Sequence, residues 1–247
     1  MPKYGSADVA FFLVDGYDLK ADLTTFRLDV EAILEETHGL GAGWVEALPV
    51  GLRRATLEQE GFFDDALDRV HAALGGQQEV RRIVTVGVEG NVAGRRVTGI
   101  AGAFASRYNR QATRGELHKA SASYRVVGQV EEGVLLHPLR TETAASGNTE
   151  GAESVDGGAA SSGGGAGYLQ VQDLTLGGYT SVTIKMRHSA DDVTYADLVT
   201  FANVTAAKTA QRVAVSGTVQ RHLAHSWAFN GTGSSPSIRY AVGFARG

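Results

Sequence analysis

The chain has 247 residues, 43% of them hydrophobic, enough for one large globular domain or two modest ones. It contains no cysteine, which excludes disulfide-stapled folds and thiolate metal sites and predicts assembly in a reducing compartment. The formal net charge of −4 is spread without any dense basic stripe interleaved with aromatics, which argues against nucleic-acid recognition as the function.

In chain order, "VAFFLV" (9–14) reads as a strand buried on both faces, and is too short for a signal-peptide core. No stretch approaches the roughly 18 apolar residues of a membrane span, so a soluble protein without membrane insertion is expected. Residues 35–61 are rich in Gly and polar groups yet carry Trp44, Leu48, Pro49, Leu52, Arg53 and Arg54, and read as a long loop of the kind that carries function. In "FFDDALDRVHAALGG", Phe63, Ala66, Leu67, Val70 and Leu74 form one apolar stripe. It predicts a helix with Asp64 and Asp65 in its first turn and Gly75-Gly76 as its stop. Strands are expected at 83–90 (Val84, Val86 and Val88 inward), 96–108, 116–128 and 133–139.

Residues 142–166 hold four acids, no base and mostly Gly, Ser and Ala, and read as a flexible linker that neighbouring copies would have to order. Beyond it, cleaner alternation predicts strands near 169–174, 180–188, 195–202, 211–216, 219–229 and 236–245. Val182, Ile184 and Met186 point to one side in the second of these. The domain reading is therefore 1–141, linker 142–166, and a β-sandwich at 167–247. The charge differs between these parts: 16 Lys and Arg against 19 Asp and Glu in 1–141, and seven bases against four acids in 167–247.

Catalytic patterns are weak. "GLGAGW" (39–44) lacks the Lys-Ser/Thr of a phosphate-binding loop. Of seven histidines only His222 and His225 are close, and at i, i+3 in a strand they face opposite sides, which does not make a zinc site. "HSADD" (188–192) sits on no strained nucleophile elbow and reads as turn chemistry, with a calcium-binding turn as the alternative. Trp227 lies in a strand and reads as core; Trp44 lies in the long loop and is open to a binding role. No enzyme activity, cofactor or metal is expected.

Three stretches, "FFLVDGYDL" (11–19), "EETHGLGAGWVEALPVGLRRATLEQEGFFDDAL" (35–67) and "VTVGVEGNVAG" (84–94), resemble the major tail tube proteins of long-tailed bacteriophages. Residues 182–246 resemble the C-terminal β-sandwich appended to phage tail structural proteins. The resemblance implies a mainly β fold, a tail-tube sandwich or half-barrel with one flanking helix plus an all-β sandwich. It also implies a virion protein, assembled in the host cytoplasm, whose copies and fellow tail proteins are its partners. Its copies would form six-fold rings stacked into a tube through which DNA passes without specific binding.

Residues themselves add that uncharged strands such as "IVTVGV" and "VTGIAGAF" suit pairing with a neighbour. An acidic balance in 1–141 suits a bore that does not hold phosphates. The loop at 35–61 is then expected to reach the adjacent ring, with Trp44 as apolar anchor and the Arg53-Arg54 pair meeting carboxylates. A hairpin packed on its own subunit is the alternative. The C-terminal sandwich would hang outside, removable without loss of the tube, and suited to host-surface glycans. The rivals are a carbohydrate-binding adhesin and another tail or baseplate ring component.

Overall fold

In the computed structural model, residues 4–37, 44, 47–75, 79–151 and 153–247 are described. The chain is mainly β, as the patterning predicts, with antiparallel sheets and one short helix among these residues. Strand β1 (Phe11–Val14) is buried throughout. Phe12 and Val14 enter one apolar cluster while Phe11 and Leu13 enter another, which is why its sequence is an unbroken apolar run. After β2 (Tyr17–Asp18), β3 (Leu23–Glu36) and β4 (Ala47–Phe62) form an antiparallel ribbon. The stretch 35–61 is therefore largely strand, not loop. Its base carries a period-two signal: Phe26, Leu28 and Val30 alternate with Thr25, Arg27 and Asp29, and Ala55, Leu57, Gln59 and Gly61 are the buried positions of β4.

The helix is shorter than its stripe predicts. Helix α1 (Val70–Leu74) buries Val70, Ala73 and Leu74, but Phe63–Arg69 is irregular and Leu67 is 91% exposed. Two aspartates explain the loss. Asp64 Oδ1 accepts from the Ala66 N–H at 2.9 Å, a local turn that competes with helix, and Asp68 sits at φ 69°.

Strands β5 (Arg81–Gly87), β6 (Arg96–Gln111), β7 (Lys119–Val126) and β8 (Val130–Glu142) lie close to their expected positions. β5 is flanked by β1 and β6, and β6 by β5, β7 and β8. The two strands expected to seek a neighbouring copy are thus satisfied within their own chain. The long free edge is that of β3, which pairs with β4 alone among the described residues.

The remaining strands are β9 (Ser146–Asn148), β10 (Val155–Asp156), β11 (Gly165–Thr175), β12 (Ser181–Ser189), β13 (Ala196–Thr200), β14 (Thr209–Val215), β15 (His222–Asn230) and β16 (Ser237–Arg246). One sheet of 11 strands runs β14-β11-β16-β8-β6-β5-β1-β2, with β7, β4 and β3 branching from β6. β8 carries this sheet from one half of the chain to the other: Val130–Val134 pair with β6, and Val134–Glu142 with β16. A second sheet, β10-β15-β12-β13 with β9 on β15, covers the C-terminal part. Val182, Ile184 and Met186 meet Leu169, Val171, Tyr240 and Phe244 between the two layers. Phe229 and Trp227 close that core, as expected for Trp227.

Two organisational expectations change. Residues 142–166 do not read structurally as a free linker: β9 and β10 pair with β15, and Val155 enters the sandwich core. The C-terminal part is also not pendant. Leu135, Leu139 and Ala241 share a buried cluster with Phe11, Leu13 and Val97, so removing 167–247 strips β8 of its β16 partner and opens that cluster. Polar contacts reinforce the union. Gln170 on β11 accepts from the Gly16 N–H at 2.7 Å and donates to Ile83 O and Thr85 Oγ1. Arg212 on β14 grips Glu131 at 2.6 and 2.8 Å, with Tyr168 donating to the same carboxylate. Burial works to raise the Glu131 carboxyl, and these donors outweigh it and lower it.

Candidate assembly surface

The base of the β3–β4 ribbon is held by β7, which pairs with Thr56–Phe62. From Arg54 outward β4 has no partner but β3 among the described residues, and residues 30–37 and 47–54 are exposed at every position. The distal part of the arm, from Glu31 to Glu36, reaches about 20 Å beyond the sheet at 3.3 Å per residue. Two-stranded ribbons of this kind are marginal in water without a covering surface.

Its apolar residues are unusual for such exposure. Val30, Ile33, Leu34, Leu48, Val50 and Leu52 are all solvent-facing, with Leu48 at 61% and Leu52 at 63%. Trp44, beyond the end of β3, is 88% exposed. Leu48, Pro49, Leu52, Arg53 and Arg54 are thus gathered on one projecting element, and Trp44 falls between its two strands in the sequence. Leu48 pairs with Glu35, Pro49 with Leu34, Arg53 with Ala32, and Arg54 with Glu31. Leu52 lies where the register shifts, between the Ala32 and Leu34 rungs. The arginines differ. Arg54 Nη2 already meets Glu31 Oε2 at 2.9 Å within its own chain, so it is not reserved for a neighbour's carboxylate. Val30, Ile33, Leu34 and Val50 complete the apolar surface and escaped the sequence reading, although β-branched and Leu residues around charged ones marked them.

Where the arm leaves the body, Val30, Gly51, Arg53, Arg54 and Ala55 face Val126, Gly128, Gln129 and Val130 across a groove of about 510 Å³. Charge is segregated along the arm. Residues 28–52 contain Asp29, Glu31, Glu35, Glu36 and Glu46 and no Lys or Arg, and then Arg53 and Arg54 follow.

Other sequence candidates fall elsewhere. Residues 39–43 of "GLGAGW" lie outside the described residues. In "HSADD", Asp191 Oδ1 accepts from Ser189 Oγ and from the Val193 and Thr194 N–H groups at 2.8–3.0 Å. These bonds hold its carboxyl down to about 2, the signature of a turn-forming aspartate. His222 and His225 do face opposite sides: His225 is fully buried and His222 partly exposed. His225 belongs to a buried cluster with no counterpart in the sequence reading. His137 stacks on Tyr240 at 4.1 Å, and the two imidazoles meet edge-on at 4.4 Å. His225 also meets Tyr240 Oη through Nε2 at 3.1 Å and Thr149 Oγ1 through Nδ1 at 2.9 Å. Burial lowers both imidazoles below the ordinary range, against the pull of Glu142 on His137. Their 88-residue separation in sequence hid the pairing, since only the β8–β16–β15 layering brings them together.

No protein-family model matches this sequence. No curated protein matches it either. Among solved structures, the chain is similar to one in the virion of a native gene transfer agent particle, at 13% identity and TM-score 0.40, over 53% of this chain and 98% of that one. It is similar to one in the tail of an empty gene transfer agent particle with C6 symmetry, at 15% identity and TM-score 0.40, over 52% of this chain and 97% of that one. A third is the SPP1 Dit protein, described as a paradigm of the hub adsorption apparatus in phages infecting Gram-positive hosts. There the identity is 12% and the TM-score 0.36, over 96% of this chain and 98% of that one. Likeness at these levels carries no functional argument.

Proposed function

We propose that this chain is a structural component of a phage tail whose copies assemble into rings, with the β3–β4 arm as the joining element. The observation that carries the reading is the arm: a ribbon with exposed Leu34, Leu48, Val50, Leu52 and Trp44 and a free β3 edge. An apolar, unpaired projection of this length is a liability in a monomer and is stabilised when a neighbouring copy covers it. Repeated head-to-tail, that contact closes a ring. The finer reading is the tail tube, six-fold rings that stack and leave a bore for DNA. The halves share one sheet and a buried cluster, so on this reading the C-terminal sandwich is carried on the ring as part of each subunit.

The test is negative-stain microscopy and mass measurement of the purified chain, beside a variant in which residues 32–53 are replaced by Asn-Gly, a two-residue hairpin turn. Rings from the native chain and folded monomers from the shortened one are expected. Stacked rings support the tube; single rings that do not stack point to a baseplate-type ring. Small particles at every concentration overturn the assembly reading, and glycan binding by such particles makes the protein an adhesin.

A further inference from the structure

The arm's partner surface can be named. Resting on the ring reading above, we infer that the groove at the base of each arm receives the distal end of a neighbouring copy's arm, with Arg53 as the cation that fixes its register. Three features of the groove and arm lead there.

The groove of about 510 Å³ is open, lined by apolar Val30, Ala55, Val126 and Val130, and its charged lining is cationic, Arg53 and Arg54. Arg54 is engaged by Glu31. Arg53, exposed and without a hydrogen bond or ion pair among the described residues, is the cation left to offer.

The surface that fits such a groove is apolar and acidic, and this chain displays one. At the far end of the same arm Leu34, Glu35 and Glu36 face Pro49, Leu48 and Ala47 across the ribbon, all exposed. That end cannot reach its own groove. The Glu35–Leu48 rung lies three β3 residues outward from the Ala32–Arg53 rung, about 10 Å along a straight ribbon. The acids of one arm and the arginine at its base therefore point to different places, and a second copy displaced along the arm brings them together. A nucleic acid is disfavoured as occupant because the strand that borders the groove carries Asp29 and Glu31 on either side of Val30, and Glu35 and Glu36 farther out. Charge complementarity sets register and suppresses wrong pairings, while the leucines and valines supply the burial.

The experiment compares the full-length chain, Arg53→Glu, Glu35→Arg and the double variant, by mass photometry across a concentration series at 0.15 M and 1 M salt. Each single reversal is expected to raise the concentration for half-assembly by about tenfold or more, and the double variant to recover most of that loss. The thermal midpoint of dilute monomer should not change, since both residues are exposed. High salt should weaken the native assembly and narrow the gap between variants. Native-like assembly by both single variants, or a double variant no better than either, overturns the groove assignment and leaves the ring reading standing. A native chain that never assembles overturns both.

Discussion

Two regions of this molecule carry compositions that discourage packing, and they end in opposite places. The seam at 142–166, with few apolar residues, is fastened: Thr149 is buried on His225, Val155 is in the core, and Asp156 holds Arg221 through two bonds of 2.6 and 2.7 Å. The arm at 31–54 is richer in apolar residues, and its described residues, 31–37, 44 and 47–54, stand in solvent. Glycine content marks close approach in the seam as much as flexibility. A Cβ on Gly147 would lie 2.3 Å from the Trp227 ring, so glycine is what lets β9 lie flat over the indole. Burial is decided by what a segment lies against: the seam lies on β15, and the distal arm pairs only within itself among the described residues.

Substitutions sharpen this contrast, the largest effect first. Trp227→Ala removes the indole that fills the sandwich core and donates to Ala144 O at 3.2 Å on the seam. It should cost about 3–5 kcal/mol in chemical denaturation. A seam indifferent to that change would refute its role as a packed layer.

Acidification is the next test. His137 and His225 are held neutral in the fold, so the unfolded chain binds protons first as pH falls below the ordinary histidine value of 6.5. Stability is therefore full above that pH and declines beneath it, by up to about 1.4 kcal/mol per pH unit for each histidine. Unfolding midpoints at pH 7.5 and 5.5 should differ accordingly, and the difference should shrink in His225→Gln. Lower still, the Glu142 carboxyl, held down chiefly by its bond to His137, loses its contribution as pH falls through its folded value.

Gly147→Ala pushes a methyl against the Trp227 ring and should cost about 1–3 kcal/mol, read as a lowered melting temperature. At the arm, the same measurements should register almost nothing. Leu48→Ser with Leu52→Ser should change monomer stability by no more than about 0.5 kcal/mol while abolishing assembly. Smallest of all, Arg54→Gln breaks an ion pair whose side chains are both more than half exposed, worth about 0.5 kcal/mol or less to the monomer. Amide exchange offers an independent check. The bonded N–H groups of Thr149, Gly157 and Ser161 should be protected, and those of the distal arm should gain protection only on assembly.

Much of the architecture was legible. Alternation located the six strands β11 to β16, though not β9 and β10, and the inward set Val182, Ile184 and Met186, because a half-buried strand must repeat every two residues. The base of the arm was equally marked by Phe26, Leu28 and Val30, yet Gly and charge beyond it drew the reading toward a loop. Of the candidate site, Trp44, Leu48, Pro49, Leu52, Arg53 and Arg54 were identified as a group. The placement of Leu48, Pro49, Leu52, Arg53 and Arg54 on a ribbon, and the engagement of Arg54 by Glu31, were not legible, since cross-strand pairing depends on register.

The sequence by itself determined the mainly β class, the two-faced burial of β1, the strands of the second half and a segment outside the core that bears an arginine pair. Those are local properties, set by periodicity and side-chain type. Tertiary structure alone decided that β8 joins the halves into one sheet, that the Gly-rich seam is a packed layer, that His137 meets His225, and that β3 keeps the open edge. Each of these turns on which distant strands become neighbours, and the polypeptide states that choice only when the whole sheet closes around its cores.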